Sequence, residues 1–91
     1  TFSAPIYGAD LLYSLMDSTS KGWNLNNLDS LLSDSLSNKV KGINTPYIYL
    51  GSWKAFFCWH TEDLDLSGVN FIHEGKSKFW YAINYQDKQI I

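Results

Sequence analysis

The sequence of 91 residues predicts a small α+β domain that is mainly β, on two observations. Apolar residues recur at helical spacing across residues 24–37, which favours one amphipathic helix in the first half. From Tyr47 onward, aromatic and β-branched residues are dense and are interrupted by glycine-containing turns, as in a series of short strands. A helix followed by antiparallel strands is also compatible with a β-barrel that carries helical decoration.

The composition narrows the class of protein. The chain is 45% hydrophobic and 16% aromatic, which is typical of a globular domain. The formal net charge is −2 and all seven basic residues are lysines without a cluster, so direct nucleic-acid binding is not expected. The single cysteine, Cys58, excludes an internal disulfide and a cysteine-based zinc site within this chain. No apolar run approaches the roughly 20 residues of a membrane span, and we expect no membrane association.

Two segments before the helix have clear local signals. Residues 4–10 predict a short extended segment closed by a turn, because Pro5 favours extended geometry and Gly8 relaxes the backbone. Residues 17–22 are small and polar and predict a surface loop.

The predicted helix spans residues 24–37. Asn24 is a good N-cap residue, since its side-chain oxygen can accept a hydrogen bond from the first turn. Spacings of three, four and seven residues place five leucines on one stripe: Leu25, Leu28, Leu31, Leu32 and Leu36. We interpret this helix as a packing element.

The second half predicts strands. Their β propensity is high, and Gly51-Ser52 and the run Glu74-Gly75-Lys76-Ser77 provide turns between them. The predicted strands are residues 47–50, 54–60, 68–72 and 78–83.

His60 and Glu62 are candidate metal ligands. Residues two apart on a strand point to the same face, so this imidazole and this carboxylate can bind one ion. With a third ligand, commonly a histidine from a distant strand, the pair would complete the two-histidine, one-carboxylate triad of non-haem iron(II) oxygenases. The spacing alone does not distinguish such a site from a chance pair.

Longer blocks of sequence carry a family resemblance. They are residues 42–49 (GINTPYIY), 51–54 (GSWK), 59–66 (WHTEDLDL), 69–73 (VNFIH) and 78–83 (KFWYAI), with 4–10 (APIYGAD) and 23–24 upstream. Together they resemble the Jumonji-C (JmjC) histone lysine demethylases, and most closely the subfamily that acts on trimethylated lysines of histone H3. The resemblance covers nearly the whole chain.

The resemblance implies roles for individual residues. His60 and Glu62 correspond to the first two iron(II) ligands and are the expected catalytic pair. The residues implied to bind 2-oxoglutarate are Tyr7 and Lys78 at its distal carboxylate, Asn70 near the metal end and Phe57 along its length. The regular alternation of a strand would turn Phe57 away from His60.

Four further residues match the substrate side. Gly42 and Tyr49 correspond to positions around the methylated ammonium, where a carbonyl and a phenol oxygen accept weak C–H···O contacts. Tyr47 and Asp10 are expected to neighbour the substrate peptide.

The implied fold and activity follow from the same family. Residues 1–91 would form the N-terminal part of a JmjC catalytic domain, a partial double-stranded β-helix of jelly-roll or cupin type preceded by one helix. The later strands and the third iron ligand would lie outside this segment. The implied reaction is oxidative demethylation of methyl-lysine on a histone H3 tail with dioxygen and 2-oxoglutarate, releasing formaldehyde, succinate and carbon dioxide. The resemblance implies a nuclear location, and the isolated segment is expected to be inactive.

Alternatives stay open. An inactive JmjC module that binds or scaffolds is one, and a JmjC hydroxylase of non-histone proteins is another. Ser67-Gly68 stands where the family usually has a Tyr-Ser pair, which would remove an aromatic ring and a hydroxyl near the cosubstrate. Five residues are interpreted as structural or core: Trp53, Trp59, Trp80, His73 and Cys58.

Overall fold

The computed structural model describes residues 3–90, with the backbone alone at Ile90. Thr1, Phe2 and Ile91, at the ends of the expected domain segment 1–91, lie outside the described residues. Within residues 3–90 the regular elements are the strands β1 (Tyr7–Leu11) and β2 (Ile48–Gly51), the α-helix α1 (Leu31–Ser35), and 3-10 helices at Leu25–Asn27, Asp63–Asp65 and Tyr85–Ile90.

The sheet consists of β1 and β2, paired antiparallel. The register pairs Tyr7 with Gly51, Gly8 with Leu50 and Leu11 with Ile48. Beyond β2, the Ser52 hydroxyl accepts a hydrogen bond from the Ile6 N–H at 2.8 Å, and the Ser52 N–H donates to the Ile6 carbonyl at 2.9 Å. The register shifts between Gly8 and Leu11, as at a β-bulge. The sheet thereby brings together two segments that the sequence predicted separately.

The predicted continuous helix of residues 24–37 is wrong, because the structure breaks it into two short turns. Asn24 caps the first, as predicted, by accepting from the Asn26 N–H at 3.1 Å. Ser30 caps α1 by accepting from the Ser33 N–H at 3.2 Å. Asn and Ser side chains compete with helical hydrogen bonds for backbone donors, so a second cap inside the stripe starts a new helix.

Asn24 also organises the loop before it. Its amide donates to the carbonyls of Asp17 at 2.9 Å and Ser20 at 3.2 Å. Asp17 in turn accepts from Thr19 and Ser20, which holds the pKa of its carboxyl below the usual range. Asn24 is 4% exposed. The polar segment 17–22 is a surface loop, as predicted, and its anchor is this asparagine.

The predicted strands of residues 54–60, 68–72 and 78–83 do not form within the part of the chain that the structure describes. A β-strand needs a neighbour for its backbone hydrogen bonds, and high β propensity does not supply one. The class α+β holds in a reduced form, as a two-stranded antiparallel sheet with short helices. A full double-stranded β-helix stays an expectation from the family.

Side-chain burial is low throughout. No hydrophobic side chain among residues 3–89 is fully buried. The prediction that three tryptophans form a core is wrong, since Trp53 is 80% exposed and Trp59 and Trp80 are also exposed. Cys58, expected to be a small core residue, is exposed as well. No helix in the described range has the length and apolar character needed to cross a membrane.

Candidate metal and cosubstrate site

Three aromatic rings meet on one face of the sheet. Tyr7 on β1 and Tyr49 on β2 stack with their ring centroids 6.1 Å apart. Phe57, which follows β2, packs edge-on against both, at 5.5 Å from Tyr7 and 5.2 Å from Tyr49. Pairing of the strands is therefore what assembles this aromatic surface from distant segments.

Lys78 lies over two of these rings. Its Nζ is 4.7 Å from the Phe57 centroid and 5.9 Å from the Tyr49 centroid. It donates a hydrogen bond to the Asn70 side-chain oxygen at 2.9 Å. Burial lowers the pKa of the Lys78 ammonium from its usual value. The ring centroid of Trp80, two residues further on, is 5.4 Å from Lys78 Nζ. Trp80 therefore lies beside the ammonium and is not part of a core.

We call this group of side chains the lysine cluster: Tyr7, Tyr49, Phe57, His60, Asn70 and Lys78. The Tyr7 hydroxyl in it is buried and has no hydrogen-bond partner, and burial followed by the charge of Asp10 raises its pKa. A phenol donor without a partner and a half-buried ammonium suit a carboxylate ligand. These residues fit the distal carboxylate of 2-oxoglutarate.

His60 is oriented by the backbone. Its Nδ1 is 2.7 Å from the Cys58 carbonyl oxygen, which can only accept, so Nδ1 carries the proton. The lone pair of a neutral imidazole is then on Nε2, the atom left for a metal. The His60 ring centroid is 6.1 Å from that of Phe57.

In a regular strand Phe57 would face away from His60. Residues 54–60 form no strand in the structure, so this alternation does not apply to them. The same holds for His60 and Glu62, whose expected common face rested on a strand that is not present.

Glu62 immediately precedes the 3-10 helix Asp63–Asp65. Its carboxylate lies beside Gly68, where a Cβ would approach the carboxyl carbon and one oxygen to 3.1 Å. Glycine at this position thus leaves room for Glu62 that a larger residue would reduce.

Imidazole nitrogen and carboxylate oxygen are donors that suit iron(II). Among residues 3–90, no group of three or more His, Cys, Asp or Glu side chains is placed to hold a metal ion. His60 and Glu62 are the residues that would ligate the ion. Within the described range, no third His, Cys, Asp or Glu side chain joins them.

The substrate-side residues lie at the edge of the cluster. Gly42 has φ of 73° and sits against Tyr47, whose ring would be 2.6 Å from a Cβ at this position. Tyr47 packs edge-on to Tyr49 at 6.3 Å. The Tyr49 hydroxyl donates to Asp10 Oδ1 at 2.9 Å. Three expected substrate residues, Tyr47, Tyr49 and Asp10, thus form one chain of contacts, with Gly42 beside it.

Two side chains near these residues were given no functional role from the sequence. Trp80 flanks Lys78, and its separation of two residues from Lys78 was the available signal. Thr45 has a buried hydroxyl without a hydrogen-bond partner, one turn away from Gly42. Nothing in a single sequence distinguishes such a threonine from any other in a turn.

Comparisons with known proteins agree on one family. The family model described as "JmjC domain, hydroxylase" matches residues 47–91. Lysine-specific demethylase 4B of Mus musculus is 48% identical over 87 residues, covering 91% of this chain and 8% of that protein. Lysine-specific demethylase 4D of Rattus norvegicus is 45% identical over 85 residues, covering 90% of this chain and 17% of that protein.

A third relative is the probable lysine-specific demethylase 4F of Homo sapiens, 47% identical over 83 residues, with 87% of this chain and 13% of that protein covered. The chain thus spans less than a fifth of the length of each of these three relatives. No solved structure matches it significantly. The family model and the identities to lysine-specific demethylases together show that the chain belongs to the JmjC family.

Proposed function

We propose that the protein carrying this chain is an iron(II)- and 2-oxoglutarate-dependent dioxygenase that demethylates methyl-lysine on histone H3. The observation that carries the proposal is the lysine cluster. Its half-buried ammonium at Lys78 and its unpaired phenol donor at Tyr7 lie in one aromatic surface with His60. The relatives named lysine-specific demethylases support the same reaction class.

Individual residues of the chain would have separate roles in this reaction. Lys78 and Tyr7 would hold the distal carboxylate of 2-oxoglutarate, while Phe57 would exclude water along its length. His60 and Glu62 would present nitrogen and oxygen donors to iron(II), which supplies dioxygen activation and oxidation of the N-methyl group. Tyr49 would offer its phenol oxygen to the methylated ammonium.

The partners of the protein follow from this proposal. A methylated histone H3 tail would lie beside Tyr49, where Asp10, Gly42 and Tyr47 are found. A nuclear, chromatin-associated location would follow, because that is where histone tails are found.

The proposal is tested by product analysis on the full-length protein. With iron(II), 2-oxoglutarate and a trimethyl-lysine histone H3 peptide, we expect formaldehyde and succinate in equal amounts. His60→Ala should abolish both products because it removes the Nε2 donor, whereas His73→Ala is the matched control. His73 packs against Phe71 at 5.1 Å and has no place in the proposed chemistry, so its variant should keep activity.

The alternatives give different outcomes. Succinate with a stable mass increase of one oxygen on a non-histone peptide, and no formaldehyde, would identify a protein hydroxylase. Binding of a methylated peptide without any turnover would identify an inactive binding module. Unchanged succinate formation in His60→Ala would refute the metal assignment.

A further inference from the structure

The starting point is the backbone of Asp10. This residue lies in the bulge of β1, where the register shifts between Gly8 and Leu11, and it has φ of 56°. A left-handed conformation costs energy for most residues, although aspartate and asparagine tolerate it better than others. A bulge of this kind redirects a side chain that regular pairing would place elsewhere. Here the redirected side chain is a carboxylate.

That carboxylate meets Tyr49 on the neighbouring strand. Asp10 Oδ1 is 2.9 Å from the Tyr49 hydroxyl oxygen. An ionised carboxylate can only accept, so the single phenol proton of Tyr49 points at Asp10. The remaining face of the Tyr49 oxygen carries lone pairs alone. Tyr49 is half-buried in the lysine cluster and Asp10 is exposed beside it, so a ligand can reach both.

A free phenol would behave differently. Its proton could rotate toward the ligand, and the positive end of the O–H dipole would then repel a cation. With the Tyr49 proton donated to Asp10, the remaining face of the Tyr49 oxygen can only accept, which suits polarised C–H groups on an alkylated ammonium.

We propose that Asp10 is a positioning residue that acts through Tyr49, holding its hydroxyl proton and thereby selecting a cationic methylated ammonium over a neutral isostere. The inference rests on the proposed function and deepens it, because it assigns charge selectivity to the Asp10–Tyr49 pair. This role of Asp10 differs from a direct contact between Asp10 and the peptide backbone. A direct contact would affect charged and neutral ligands alike.

The test compares two histone H3 peptides in binding to the full-length protein. One carries trimethyl-lysine, and the other carries the neutral analogue in which carbon replaces the quaternary nitrogen. Asp10→Gly removes the carboxylate while glycine accepts the positive φ. We expect Asp10→Gly to raise the dissociation constant of the trimethyl-lysine peptide on the order of tenfold. The neutral peptide should change by less than about twofold, because it makes no charge-dependent contact.

A double-mutant cycle identifies the route of the effect. If Asp10 acts through Tyr49, then Asp10→Gly in a Tyr49→Phe background should add little to the loss caused by Tyr49→Phe alone. Asp29→Gly is the matched control, since Asp29 is exposed like Asp10 but lies between the first 3-10 helix and α1, outside both strands. It should leave both dissociation constants unchanged.

A second readout is independent of any ligand. Burial, and then the hydrogen bond to Asp10, raise the pKa of Tyr49 to about 12. Asp10→Gly should lower this pKa, as followed by NMR titration of the tyrosine ring carbons. A pKa that stays unchanged would overturn the inference.

Three binding results would also overturn it: equal losses for both peptides, losses that multiply in the double variant, and a wild-type protein without preference for the cationic peptide. A protein that shows the expected charge-dependent effect but releases no formaldehyde would refute the proposed reaction alone. Failure of the Asp10 inference and failure of the proposed reaction therefore give different results.

Discussion

At the residue scale, the site depends on where single protons lie. His60 holds its proton on Nδ1 because the Cys58 carbonyl accepts a hydrogen bond there. The Tyr49 hydroxyl donates its hydrogen bond to Asp10. The residue types were readable from the sequence, since the block around His60 matched a family. The hydrogen-bond partners were not, because Cys58 contributes a backbone carbonyl and Asp10 depends on a bulge that no local signal predicts.

Lys78 carries the first prediction. Replacing it with methionine keeps most of the volume and removes the charge, so we expect the KM for 2-oxoglutarate to rise on the order of ten- to a hundredfold. Lys76→Met is the matched control, because Lys76 is an exposed lysine two residues away. Steady-state kinetics at varied 2-oxoglutarate would measure both. Equal effects of the two substitutions would contradict the role of Lys78.

The pH dependence of cosubstrate binding has a defined sign. Burial lowers the pKa of Lys78, so its charged form is lost at a lower pH than that of an exposed lysine. Affinity for 2-oxoglutarate should therefore fall as the pH rises through that lowered pKa. Calorimetric titrations across the alkaline range would show the fall, and an affinity that stays flat up to the range of ordinary lysines would argue against it.

The raised pKa of Tyr49 makes stability depend on pH. Its pKa is raised to about 12, by burial first and then by Asp10, whereas an unfolded tyrosine titrates near 10. Between these values the folded side chain keeps its proton and the unfolded one loses it. The free energy of unfolding should therefore fall as pH rises across this window. Urea unfolding of the full-length protein at several alkaline pH values would test this, with Tyr49→Phe as the variant that lacks the contribution.

At the element scale, the sequence predicted β2 well, β1 in part and the helix poorly. The β propensity after Pro46 is local, so it survives in β2, whereas the extended segment predicted for residues 4–10 is a strand only over Tyr7–Leu11. The leucine stripe of residues 24–37 has a helical period, but the period records only side-chain spacing. Ser30 breaks the helix by capping, which is a backbone event that the spacing does not contain.

Two glycines with similar backbone conformations allow a matched test. Gly42 has φ of 73° and lies against Tyr47, whereas Gly22 has φ of 81° and open space around its Cβ position. Gly22→Ala should cost about 1–2 kcal/mol from the left-handed conformation alone. Gly42→Ala should cost more by about 1–3 kcal/mol, because Tyr47 must also move. Equal changes in the free energy of unfolding of the full-length protein would show that the Tyr47 contact does not constrain Gly42.

At the scale of the whole molecule, the surface is large for the mass. The accessible area is 8742 Å², while a folded monomer of 10.4 kDa is expected to have about 5,400 Å². The radius of gyration of 15.5 Å likewise exceeds the roughly 12 Å of a compact domain of this length. The composition predicted a globular chain. Composition alone does not say how much further surface is needed to bury its aromatic side chains.

The isolated 91 residues should therefore unfold without a sharp transition. Exposed aromatic side chains such as Phe79 and Tyr81, about 80% exposed, would bind the dye ANS and promote association. Fluorescence with ANS and a thermal melt by circular dichroism would measure these properties. A cooperative melt with no ANS signal would contradict this expectation.

The pairing of β1 with β2 has a consequence for how binding and folding are connected. Tyr7 and Tyr49 lie 42 positions apart in the chain, so bringing them together closes a long loop at an entropic cost. A 2-oxoglutarate or peptide that touches both strands binds only the closed form and so offsets part of that cost by mass action. Ligand saturation would then slow hydrogen exchange at the β1 amides, far beyond the atoms that the ligand itself covers.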